Sequence, residues 1–176
     1  LESSKPPGPP AARYAQREKG LPRILIVDWD VHHGNGTQDA FYDDGDVFFF
    51  SIHQSPLYPG SGTSAERGVG AGEGATLNAP VPAGSVDADY IAIFEETLIP
   101  VAREFSPDLV MISAGFDAHE DDPLAGVHIT TDGFAQLTRL ARDIAEEQCG
   151  GRIVSTLEGG YSLRGLSASV VAHLQA

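Results

Sequence analysis

Short apolar runs alternate along this chain with longer segments in which apolar residues recur every three or four positions. Four runs read as strands buried on both faces: Ile24 to Val27, Val47 to Ile52, Leu109 to Ala114 and Arg152 to Leu157. A fifth, shorter strand is expected within Ala75 to Val81. Helical spacing predicts helices over Ala11 to Lys19, Gly36 to Tyr42 with Thr37 as its cap, Asp87 to Glu104, Asp132 to Gln148 and Leu163 to Leu174. Between Pro59 and Gly74, six glycines in sixteen positions and no apolar period predict a loop. Strands alternating with helices call for an α/β fold with a mostly parallel sheet flanked by helices. Ligands of such sheets bind beyond the carboxyl ends of the strands. The four strands all run out there into polar residues, so four loops converge on one expected site.

Length and composition narrow the picture. With 176 residues, 41% of them hydrophobic, the chain suits one domain with a sizeable core. A formal charge of −14 argues against general electrostatic binding to nucleic acid or to an anionic membrane, and no apolar run approaches a membrane span. The single Cys149 excludes an internal disulfide and suits a reducing compartment, so the expectation is the cytoplasm, or the nucleus in a eukaryote. Residues 1–10 hold four prolines and no signal-peptide core, and read as a disordered or foreign leader to a domain over 11–176.

The candidate chemistry sits at the strand ends. In the stretch Asp28-Trp29-Asp30-Val31-His32-His33-Gly34-Asn35-Gly36, strand alternation would point Asp28, Asp30 and His32 the same way. Ionisable groups crowded at a buried strand end are costly unless a cation joins them. With Asp117 from the third strand's loop, Asp30 and His32 make a ligand set that zinc accepts while keeping open positions, which marks a catalytic site. Asp28 and Ser51 could serve as supporting residues or as an oxygen-rich alkali-metal site. Tyr161, after two glycines, could swing its phenol toward the metal and donate to a developing oxyanion. An isolated Asp-x-His pair is more often a hydrogen-bonded strand end, and the convergence of several such features on one edge favours the metal. His119, His128 and His173 are expected in solvated or capping roles, and Asp121-Asp122 as a solvated turn.

The motifs IVDWDVHHGNGTQDAFY, SIHQSPLYPGSGT, ISAGFDAHEDDPLAG and LEGGYSL follow one another here in an order and spacing that resembles the zinc-dependent histone deacetylase family. Trp29, Asn35 and the Glu158-Gly159-Gly160-Tyr161 form of the last motif are most similar to its class II and bacterial amidohydrolase-like branch. The resemblance implies the arginase/deacetylase fold, zinc held by Asp30, His32 and Asp117, and hydrolysis of the acetyl amide of acetyl-lysine in a peptide or protein, or of a similar acetylated amine. It implies that Tyr161 polarises the scissile carbonyl, that Gly159 and Gly160 are its hinge, and that Tyr58 and Leu124 flank the acyl chain. Structural potassium is implied at Asp28, Ser51 and Ile52 with oxygens of Asp30 and His32, and a peripheral second site at Phe41, Asp44, Val47 and Ala75.

One departure stands out. The family's His-His general base lies well upstream of the first of these motifs, and residues 1–23 contain no histidine. Asp28 and Asn35 match the residues that orient that pair. The resemblance therefore covers roughly the C-terminal half of the family domain, truncated on its N-terminal side, with an unpaired sheet edge and impaired catalysis expected. A catalytically inactive interaction module is the alternative. A two-manganese ureohydrolase of the same general fold fits poorly, because Gly34 and His119 stand where two of its carboxylate ligands belong.

Overall fold

The structure, a computed structural model, describes residues 10–176. Five strands form one wholly parallel sheet in the order β3-β2-β1-β4-β5: β1 (Ile24–Asp28), β2 (Val47–Gln54), β3 (Thr76–Val81), β4 (Leu109–Ala114) and β5 (Ile153–Leu157). β1 is central because an unbroken apolar run can bury both of its faces. Alternation sends Leu25 and Val27 into the larger core with Phe50, Tyr90, Phe94 and Phe134. Ile24 and Ile26 enter the smaller one with Ala12, Ala15, Phe41 and Phe49.

Helices cover both faces. α1 (Pro10–Lys19) and α2 (Asn35–Phe41) close the smaller core, while α3 (Asp87–Ile93), α4 (Ile99–Phe105) and α5 (Thr131–Cys149) close the larger, and α6 (Leu163–Gln175) packs on α5. The α/β class and parallel sheet expected from the sequence therefore stand, with the strands close to their expected limits.

The helices differ in instructive ways. The expected helix Asp87 to Glu104 is interrupted by a π turn at Phe94–Leu98, in which the Ile99 N–H bonds to the Phe94 carbonyl. Pro100 follows at once. It has no N–H and its ring crowds the preceding turn, so the wider turn absorbs a residue that a regular α-helix interior would not. α2 starts at Asn35 behind Gly34, which leaves Thr37 inside the helix and not at its cap. α1 starts at Pro10, one residue inside the expected leader; the rest of that leader lies outside the described residues. β5 pairs only with β4, and its residues from Val154 onward are exposed, so this edge of the sheet is open among the described residues.

Candidate metal centre

β1 ends at Asp28, so strand alternation does not align Asp30 and His32 as expected. Hydrogen bonds from backbone to carboxylates arrange them instead. Asp28 Oδ1 accepts the Asp30 N–H at 3.0 Å, and Asp30 Oδ1 accepts the His32 N–H at 2.9 Å, two successive Asx-type turns. From the loop after β4, Asp117 Oδ1 accepts the Val31 N–H at 2.8 Å, which turns Oδ2 toward the imidazole. His32 Nδ1 then stands 3.1 Å from both Asp30 Oδ1 and Asp117 Oδ2. One ligand atom from each of these three residues lies within 4.8 Å of the others.

Two glycines make this closeness possible. A Cβ on Gly115 would run into Asp30, and one on Gly159 into the carboxylates of Asp117 and Asp30. Gly159 is fastened on both sides: its N–H donates to Asp30 Oδ2 at 3.0 Å, and its carbonyl accepts the Phe116 N–H at 2.7 Å. The need here is for a close approach. The backbone at Gly159 is tied to Asp30, which departs from the expected hinge, while Gly160, at φ +149°, sits where L side chains are strained.

The electrostatics would suit a cation. Burial, then the Asp30 charge, with Glu158 and Asp117 adding to it, hold the Asp28 carboxyl well above the usual carboxylate range. Burial and the Asp30 charge likewise raise Asp117 and Glu158. Four carboxyl groups around one imidazole repel each other when ionised, and a divalent ion would reverse that repulsion. Two carboxylates and one imidazole form a donor set of the kind zinc takes, so the residues present fit that metal. Alongside lies a cavity of about 280 Å³ lined by Asp28, Asp30, His32, Gly34, Ser113 and Glu158 among others.

Asp28 is in register with Ser51 on β2 and Ser113 on β4. Ser51 and Ile52 are fully buried. Ser51 Oγ lies 2.9 Å from His53 Nδ1, and His53 Nε2 lies 3.0 Å from the Gly62 carbonyl. A carbonyl only accepts, so the ring proton belongs on Nε2 and the Ser51 hydroxyl donates to Nδ1, leaving its lone pairs free. Asp28 and Ser51 thus suit an oxygen-bound cation. At the peripheral set, the Asp44 carboxylate pairs with Arg13 at 2.6 Å, and the Phe41 and Ala75 carbonyls accept the Asp44 and Phe49 N–H groups.

The remaining expected residues lie further out. Asn35 is exposed at the start of α2, its N–H bonded to the His33 carbonyl. Tyr58 is 79% exposed, Leu124 51% and Tyr161 55%.

Several residues do more than the sequence suggested. Asp122 is no solvated turn: it is 7% exposed and takes the N–H groups of Tyr161, Ser162 and Leu124. His119 is buried; its Nδ1 accepts the Asp121 N–H, so its Nε2 proton faces Thr131 Oγ1. His173 is half-buried between Thr138 and Ser155. Tyr90, on α3, has a fully buried hydroxyl whose titration burial, Asp117 and Asp30 push upward. Glu158 joins the carboxylate cluster. Only the density of polar residues after β4 and β5 hinted at these roles, since the contacts join distant segments.

The histone deacetylase domain model matches residues 11–176. Histone deacetylase 10, chloroplastic, of Oryza sativa subsp. japonica is 54% identical over 160 residues, 91% of this chain and 36% of that protein. Histone deacetylase 14, chloroplastic, of Arabidopsis thaliana is 52% identical over 166 residues, 94% of this chain and 39% of that protein. The chain thus spans a little over a third of the length of these relatives. The crystal structure of the HDA15 HD domain superposes with a TM-score of 0.87 at 44% identity, covering 93% of this chain and 46% of that one. Both plant relatives are named chloroplastic, which overturns the cytoplasmic placement expected from composition and the single cysteine. With the fold, the strand-end motifs and the domain match in agreement over nearly the whole sequence, this chain belongs to the histone deacetylase family.

Proposed function

We propose that this chain carries the metal-binding half of a zinc-dependent deacetylase that hydrolyses the acetyl amide of acetyl-lysine, in a peptide or protein, or of a similar acetylated amine. The observation that carries the reading is the convergence of His32 Nδ1, an Asp30 oxygen and an Asp117 oxygen from two strand ends. Zinc held there would supply a Lewis acid for the acyl carbonyl. The chain's own residues do the rest. Backbone N–H groups of His32, Val31 and Gly159 fix the two carboxylates, and Tyr161, beyond the fastened Gly159, donates a hydrogen bond from its phenol to the carbonyl oxygen as charge develops there. Gly160 gives the backbone the turn that presents Tyr161, while Tyr58 and Leu124 flank the acyl chain. Asp28, Ser51 and Ile52 would hold potassium, and Asn35, at the start of α2, would orient an upstream histidine. The names of the plant relatives suggest a plastid setting.

Turnover by this chain alone should be slow. Of its six histidines, His32 faces the metal and His128 is exposed, while the other four are hydrogen-bonded on both ring nitrogens: His33 to Ser61 and Gln38, His53 to Ser51 and Gly62, His119 to Asp121 and Thr131, and His173 to Thr138 and Ser155. A missing general base costs about a hundredfold to ten-thousandfold. The same observation favours the second reading, an inactive interaction module. Metal analysis and a fluorogenic acetyl-lysine substrate decide between them. One zinc per chain, with slow turnover that Tyr161→Phe lowers sharply, supports the enzyme; zinc without turnover supports the module, and no zinc defeats the metal reading itself.

A further inference from the structure

The geometry points to Asp122 as the residue that positions Tyr161, an inference that rests on the deacetylase reading above. Asp122 Oδ2 accepts the backbone N–H of Tyr161 at 2.7 Å and that of Ser162 at 3.2 Å, and Oδ1 accepts the Leu124 N–H at 3.0 Å. One buried carboxylate therefore joins the loop that carries the phenol to the loop that carries Leu124. It also places a negative charge at the start of α6, where Ser162 is the cap and its Oγ accepts the Gly165 N–H.

Asp122 is itself held. Its N–H donates to the His119 carbonyl at 2.8 Å, and the His119 ring stacks on Phe134 and faces Thr131 at the start of α5. A Cβ on Gly165 would meet that ring, so α6 approaches it closely. Seen from Tyr161, the backbone is anchored two residues before by Gly159 on Asp30, and at its own N–H by Asp122. The first anchor refers the loop to the metal ligands and the second to the acyl-chain side. The side chain stays free to meet substrate, while its Cα has a fixed address.

Asp122→Asn keeps the shape but only one accepting oxygen, so its NH2 group must face either the Tyr161 and Ser162 N–H groups or that of Leu124, and one of the two loops loses its anchor. A misplacement of about 1 Å costs on the order of a hundredfold in rate. The test measures kcat and KM of the zinc-loaded chain on a fluorogenic acetyl-lysine peptide for the unmodified protein, Asp122→Asn, Tyr161→Phe and the double variant. The expected result is a tenfold to hundredfold loss of kcat in Asp122→Asn, with KM within about threefold and zinc stoichiometry unchanged, and no further loss when Tyr161 is already Phe. Full kcat in Asp122→Asn, or an equal fractional loss in both backgrounds, overturns the assignment. If the unmodified chain shows no turnover, the deacetylase reading fails on its own terms, and amide hydrogen exchange then tests the positioning. Asp122→Asn must speed exchange either at Tyr161 and Ser162 or at Leu124 while Gly159 stays protected, and unchanged exchange at all three overturns it.

Discussion

Nδ1 of His32 stands 3.1 Å from Oδ2 of Asp117, across a separation of 85 residues in the chain. The second oxygen of Asp117 is occupied by the Val31 N–H, so the carboxylate is aimed as well as near. Zinc binding only the folded chain at a hundred times its Kd adds about 2.7 kcal/mol of stability. Asp117→Asn keeps an acceptor for the Val31 N–H but loses the anionic donor. Zinc affinity should fall by more than the ten- to hundredfold typical of supporting residues. Calorimetric titration, with melting temperature as a second readout, checks this; equal zinc affinity in the two proteins would remove Asp117 from the ligand set.

Gly159→Ala tests the same closeness from the other side. The new methyl group would run into Asp117 and Asp30, so overpacking should cost about 1–3 kcal/mol, and zinc affinity should fall with it. Gly36→Ala is the control. Its Cβ meets nothing within 4 Å, and it lies in α2, so the substitution should be neutral or stabilising by up to about 1 kcal/mol. Urea unfolding of both variants separates them, and comparable behaviour would mean that the strand ends are looser than described.

Strands were legible in the sequence because each is a continuous run such as Ile24 to Val27, whose burial requires no knowledge of distant residues. The grouping of Asp30, His32 and Asp117 was legible for a related reason: each follows a recognisable strand. Asp122 was not, since its partners lie 39 and 40 residues away and its own neighbours look like an acidic turn. The network of His33, Gln38, Asn78 and Glu66 was hidden likewise, because Gln38 reaches Glu66 across 28 residues and Asn78 across 40. The π turn before Pro100 was missed because apolar periodicity continues unbroken through it.

Glu66 in that network gives a pH prediction. Burial by itself raises its pKa, but hydrogen bonds from the Thr63 N–H, the Gln38 amide, the Thr63 hydroxyl and the Gly62 N–H outweigh it and bring the value to about 2. The unfolded chain, with a value of about 4.3, binds more protons in acid. The stabilisation is therefore complete above about pH 4.3 and is lost as pH falls toward 2. Because solvent screens part of this charge, Glu66→Gln should cost about 1 kcal/mol at pH 7 and visibly less at pH 3. Urea unfolding at the two pH values measures the gap, and a gap that does not narrow would show that the charge of Glu66 contributes nothing.

Asp28 carries the opposite sign. Its folded pKa is raised by burial and by Asp30, Glu158 and Asp117, so without a cation the folded chain resists ionisation that the unfolded chain accepts above about pH 3.9. Stability is then lost as pH rises toward the raised value. Asp28→Asn has nearly the same shape, can still accept the Asp30 N–H and carries no charge. In tetramethylammonium buffer it should equal or exceed the unmodified chain in stability, with an advantage that grows as pH rises from 4. A cation bound by Asp28 and Ser51 inverts this order, because the charge that is costly when alone becomes the strongest ligand of the pair. Replacing tetramethylammonium with potassium at constant ionic strength, which removes general screening from the comparison, should therefore raise the melting temperature of the unmodified chain and leave Asp28→Asn unmoved. An equal response in both proteins would place the potassium effect elsewhere and leave Asp28 as a carboxyl that serves only to turn the chain toward Asp30.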